Sequence, residues 1–155
     1  GPTTATRYWG LSQQEYYKKA DVWPLAKDGE LLVVLMIEDT KGMAALSDIL
    51  KNVPGVGAVL IGEGDLSQEL GYPRQYEHPV VLEAMAEIVN TCKENNVAVG
   101  HPHVNAGNVG RIIEEGYTFL MAAPVRSTPG LDKGLELSGR SGSGDNKPTD
   151  PAPSY

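Results

Sequence analysis

Residues 31–37, Leu-Leu-Val-Val-Leu-Met-Ile, form an unbroken apolar run too short to cross a bilayer and too rich in branched side chains to suit a surface helix. Such a run reads as a strand buried on both faces, the pattern of a parallel sheet covered by helices. We place this strand at Glu30–Glu38, after a turn marked by Pro24 and Asp28-Gly29. From Thr40 to Leu50, the apolar residues Met43, Ala44, Leu46, Ile49 and Leu50 recur at helical spacing, and Asn52-Val53-Pro54-Gly55 stops them.

The strand-then-helix cycle recurs. A second strand, Gly57–Ile61, runs into Gly62-Glu63-Gly64 and a short helix from Asp65, followed by a longer helix over His78–Asn95. Val97–Gly100 reads as a third strand, Asn105–Glu115 as a helix closed by Gly116, Thr118–Ala122 as a fourth strand and Pro129–Leu137 as a last helix. Parallel neighbours need a crossover and a helix is the usual one, so the chain is α/β, built from right-handed βα repeats. Four such strands are half of an eight-stranded (β/α)₈ barrel. Residues 30–138 therefore read as a half-barrel, and an open sheet of this kind is expected to associate with itself or with the missing half. Before it, residues 1–29 read as a loop and one short helix, started by a capping box of Ser12 and Glu15. After it, residues 139–155 are rich in Gly, Ser, Asp and Pro and are expected to be disordered.

Charge narrows the functions. A net charge of −7 with no Lys/Arg run argues against nucleic acid, and no basic segment followed by an apolar one opens the chain, so no membrane is implied. The one cysteine, Cys92, rules out an internal disulfide and reads as a packed thiol, which suits the cytoplasm.

Ligands of βα folds bind beyond the carboxyl ends of the strands. Glu38 ends the first strand and Asp65 follows the second, and neighbouring strands are about 4.8 Å apart. Two hard carboxylates there could converge on one cation, Mg²⁺ or Mn²⁺, with water completing the shell. Asp65 has a second reading, as the N-cap of its helix with Gln68 in the capping-box position. Glu38 closes too apolar a run to be idle, and must be solvated, paired or metal-bound. Glycines 62 and 64 would let backbone N–H groups approach a small carboxylate.

Ile37-Glu38, Gly62-Glu63-Gly64-Asp65-Leu66-Ser67, Leu70-Gly71-Tyr72 and His78-Pro79 together resemble, in order, the signatures of the HpcH/HpaI aldolase and citrate lyase β-like family. The similarity runs from about Gly1 to about Leu137. It implies the carboxy-terminal part of a metal-dependent pyruvate aldolase, with Glu38 and Asp65 as metal ligands for Mg²⁺ or Mn²⁺, Co²⁺ being a further option. It also implies a substrate surface of Met36, Gly62, Glu63, Gly64 and Ser67, and a 2-oxo acid such as pyruvate plus an aldehyde as reactants. The metal would stabilise the enolate formed when the C–C bond breaks, and a homo-oligomer is implied. Two departures touch substrate preference: Glu63-Gly64 stand where the family has Pro-Ala, and Met36 where many members have Gln. The family's base histidine and its arginine come from strands that precede this region. His101, His103 and Arg126 are the only residues here offered for those roles; His78, Arg74 and Arg111 read as structural or surface groups. The competing readings are a non-catalytic half-barrel that binds metal or a partner, and a CoA-ester lyase, for which no basic cluster is present.

Overall fold

The computed structural model of the chain describes residues 2–122 and 129–139. Two short helices come first, α1 (Pro2–Trp9) and α2 (Gln13–Lys19). The expected capping box starts α2: Ser12 accepts from the Glu15 N–H and Glu15 accepts from the Ser12 N–H. Helix α1 and a two-residue strand, β1 (Val22–Trp23), were not foreseen, so residues 1–29 hold more than a loop and one helix.

The barrel-like part continues with β2 (Leu31–Ile37), α3 (Thr40–Asn52), β3 (Val56–Ile61), α4 (Glu63–Glu69) and α5 (Pro79–Glu94). It ends with β4 (Ala98–His101), α6 (Val109–Glu115), β5 (Phe119–Leu120) and α7 (Pro129–Leu137). Among the described residues the five strands form one parallel sheet in the order β1-β2-β3-β4-β5. Sequential order with no reversal winds every right-handed crossover the same way. The sheet therefore carries its helices on one face and curls as half of a barrel, with five strands where four were expected.

Helices α3 and α5 cover that outer face. Ile37, Val59, Ile61 and Val99 pack there with Leu46 of α3 and Val81, Met85, Ile88, Val89 and Cys92 of α5 in one apolar core. Burial pushes the Cys92 thiol up to about 11, so it stays a protonated packing group. Central strand β3 is buried along its whole length. Strand β2 is not: Leu32, Val34 and Met36, one side-chain period apart, are 51%, 38% and 55% exposed. The expectation that this run is buried on both faces is thus corrected: its inner side is open, and on its outer side Leu35 and Ile37 meet the core while Val33 is 37% exposed.

Local chemistry fixes the helix starts. Asp39 N-caps α3 through the Gly42 N–H at 2.6 Å, and Glu69 at the end of α4 accepts from the Thr40 N–H and hydroxyl at 3.0 and 2.6 Å. His78 N-caps α5 with Pro79 as the first helical residue. Helix α6 starts later than expected, because Asn105 and Asn108 bond each other's backbones in a preceding turn. Gly116, at φ 104°, ends it. No helix among the described residues is long and apolar enough to cross a membrane. Arg126 and the tail beyond Gly139 lie outside the described residues.

Candidate functional site

Strand parity decides where each polar residue goes. Met36 lies on the inner side of β2, and Glu38, two residues on, continues that side. The register pairs Met36 with Leu60 and Ile37 with Ile61, and the Gly62 N–H donates to the Ile37 carbonyl at 2.8 Å, so Glu38 and Gly62 lie side by side. A Cβ on Gly62 would come within 2.7 Å of Glu38 Cβ, 3.2 Å of its Oε2 and 3.3 Å of Met36 Cγ. Only glycine leaves the Glu38 side chain room to lie across the end of β3.

Gly62 also occupies the cap position of α4, with the Leu66 N–H bonded to its carbonyl at 3.0 Å. Asp65 is consequently inside the first helical turn. Its alternative reading as the N-cap is corrected: the helix starts three residues earlier than an Asp65 cap would have set it. Glu38 and Asp65 are both exposed, and among the described residues neither carboxylate makes a hydrogen bond or ion pair. Nothing within 4 Å would meet a Cβ on Gly64, so the space beside that backbone is open. Ser67 is fully buried and its hydroxyl is committed, donating to the Gly64 carbonyl at 2.8 Å and accepting from the Arg74 N–H at 3.1 Å. It braces the turn that presents Gly64 and Asp65.

Two unpaired carboxylates on an exposed rim fit a hard divalent cation that retains water. Among the described residues no group of three or more His, Cys, Asp and Glu side chains is arranged to hold a metal by itself.

Glu63 goes elsewhere. At the first position of α4 it turns to the outer side, where it is 3% exposed and pairs with Nδ1 of His103 through Oε1. His101 Nε2 stands 3.7 Å from its other oxygen. The parity that buries Val99 also sends His101 to the outer side, 7% exposed, with its ring edge on Tyr117 at 5.1 Å between centroids. His101 Nδ1 accepts the His103 N–H at 3.2 Å, which places the proton of the neutral ring on Nε2. Burial holds the His101 pKa below its ordinary 6.5, with Glu63 opposing and Arg111 and His103 adding to the depression. Glu63, His101 and His103 line one cavity of about 560 Å³, whereas Glu38, Asp65 and Met36 do not.

The resemblance implies Glu63 for the substrate surface, and His101 and His103 together are candidates for a different role. The signal for grouping them was available in the spacing of His101 from Val99; Tyr117, which completes the cluster, carried none. His78 stacks on Tyr72 at 3.6 Å, and Arg111 is held by Glu77 and Glu115 at 3.2 and 2.6 Å.

A family model described as HpcH/HpaI aldolase/citrate lyase matches residues 4–123. A 2-dehydro-3,6-dideoxy-6-sulfogluconate aldolase of Pseudomonas putida is 32% identical over 90 residues, 58% of this chain and 35% of that protein. A 4-hydroxy-2-oxo-heptane-1,7-dioate aldolase of Escherichia coli is 33% identical over 91 residues, 59% of this chain and 34% of the relative. The chain thus spans about a third of the length of the curated relatives it matches. Among solved structures, an HpcH/HpaI aldolase from Desulfitobacterium hafniense superposes with a TM-score of 0.57 at 27% identity, over 71% of this chain and 40% of that one. A family protein from Burkholderia cenocepacia gives 0.58 at 24% identity, over 74% and 42%, a likeness of fold.

Proposed function

The chain belongs to the HpcH/HpaI aldolase/citrate lyase family, and from that membership we propose that it provides the metal-binding part of a divalent-metal-dependent lyase. The reaction proposed is cleavage or formation of a C–C bond in a 2-oxo acid such as pyruvate, with an aldehyde as the other reactant. One observation carries the reading: Glu38 lies unpaired against Gly62, at the strand end beside the turn that presents Asp65.

Glu38 and Asp65 would hold Mg²⁺, Mn²⁺ or Co²⁺. When bound, the cation supplies positive charge for the enolate left by C–C cleavage. The chain's own residues set the surroundings. Met36 offers an apolar wall beside Glu38, and the open backbone at Gly64 can approach a substrate carboxylate. Ser67 fixes the shape of that turn from inside. A lysine Schiff base has no part in this scheme.

A second reading is favoured by the open inner face of β2. Leu32, Val34 and Met36 form an apolar strip that this chain leaves uncovered, and a further half-barrel or a second copy would cover it. Catalysis then belongs to the assembly, in which the other part brings the proton-transfer group. We place such an assembly in the cytoplasm. The test is pyruvate release from a 4-hydroxy-2-oxo acid in Mn²⁺, by the chain alone and after mixing with the amino-terminal half of a full-length relative. Turnover in the mixture that is lost in Asp65→Ala is the expected result. Equal turnover with and without that substitution would remove Asp65 from the reaction, and full turnover by the chain alone would show that no second part is needed.

A further inference from the structure

The cavity beside β4 has the size of a small-molecule site, about 560 Å³. We propose that it is a second ligand site, separate from the Glu38 and Asp65 rim, and that it takes a small organic ammonium compound. Its floor is apolar, from Leu82, Met85 and Val89 of α5, which suits an alkyl chain. Its polar end is the Glu63, His101, His103 and Tyr117 group.

Tyr117 provides the first pointer to a ligand. It is 4% exposed, lines the cavity, and its hydroxyl has no hydrogen-bond partner among the described residues. Burial, with Glu115 and Glu63 nearby, raises its pKa and keeps it a neutral phenol. The oxygen is therefore free to accept from an N–H donor. The ring is buried while the hydroxyl opens into the cavity, where a ligand can reach it. His103 gives a second acceptor. With Nδ1 committed to Glu63, its Nε2 carries the lone pair of the neutral ring, and the ring stacks near Tyr76 with centroids 5.8 Å apart.

Charge fixes the class of ligand. The cavity is lined by Glu63, Glu77, Glu83 and Glu115 against one arginine, Arg111, which is already bonded to Glu77 and Glu115. Glu83 has no ion-pair partner among the described residues. A carboxylate or phosphate meets net repulsion here. An ammonium group meets carboxylates and two unfilled acceptors in a cavity that Tyr76 and Tyr117 also line.

The test is a chemical-shift titration of the full chain with n-butylammonium, 1-butanol and butyrate, repeated on Tyr117→Phe, Glu83→Gln and Glu38→Ala. Saturable binding of n-butylammonium is expected, at least tenfold tighter than the alcohol or the acid, with shifts at α5 and β4. Tyr117→Phe and Glu83→Gln should each weaken it, the former by about tenfold, the value of a hydrogen bond to a charged group. Glu38→Ala should leave it unchanged. Equal affinity for all three compounds would overturn the proposal. So would wild-type affinity in Glu83→Gln, an exposed site whose fold is not at risk, or loss of binding in Glu38→Ala.

Discussion

The two faces of the sheet differ more than the residues on them do. On the outer face Ile37, Val59, Ile61 and Val99 are closed over by α3 and α5; on the inner face the equally apolar Leu32, Val34 and Met36 are open. Strand chemistry alone is blind to this, because a run of leucines and valines marks two faces that could be covered, and the number of covering elements decides how many are. The carboxylates divide in the same way. Glu38 follows the inner parity and stands unpaired at the rim, whereas Glu63 turns outward and is buried against two imidazoles. A solvated acid is available to a cation; a buried, partnered one organises its neighbours.

The contrast is broken most sharply by deleting matched apolar groups. Ile61→Ala on the outer face should cost about 2–5 kcal/mol in urea unfolding, since it leaves a cavity under α5. Met36→Ala on the inner face should stay within about 0.5 kcal/mol. Comparable losses would mean that the inner face is covered in solution, as by a second copy.

At the rim, the two glycines differ in what a side chain would meet. Gly62→Ala drives a Cβ against Glu38 and should cost about 1–3 kcal/mol by forcing that side chain aside. Gly64→Ala meets nothing, lies within α4, and should stabilise the chain by about 0.5 kcal/mol. The reverse order of melting temperatures would mean that Glu38 does not depend on the glycine at 62.

A smaller effect belongs to the outer cluster. The His101 pKa is depressed in the fold, so below pH 6.5 the unfolded chain takes up a proton that the folded chain refuses. Stability present above 6.5 is thus lost as pH falls from there through the folded value. The groups facing the ring are Glu63 of α4, His103, Arg111 of α6 and Tyr117, so the comparison must be between wild type and His101→Gln. Thermal melts from pH 8 to pH 5 should fall less steeply in the variant. Parallel profiles would remove His101 as the source.

Much of this architecture was legible before any coordinates. The βα alternation, the Ser12 capping box, the His78–Pro79 start and the Gly116 stop each rest on local chemistry, and local chemistry survives in the fold. Strand β1, two residues long, has no periodicity to detect, and the threonines of α1 are weak helix formers whose helix needed tertiary support. Asp65 was open to a cap reading because its side chain suits that role, yet the backbone of Gly62 takes the position first. Glu38 and Asp65 could be assigned to one end of the sheet because each follows the carboxyl end of one of two neighbouring strands, Asp65 within the first turn of α4. The outer cluster could not be grouped in that way, since it joins Glu63 to residues about forty positions later in the chain.

The proposed role of Glu38 and Asp65 as metal ligands is open to calorimetric titration with Mn²⁺. Wild type should bind one ion; Glu38→Ala and Asp65→Ala should each weaken binding at least tenfold, while His103→Ala should not. Wild-type affinity in both rim variants would show that neither carboxylate holds the ion.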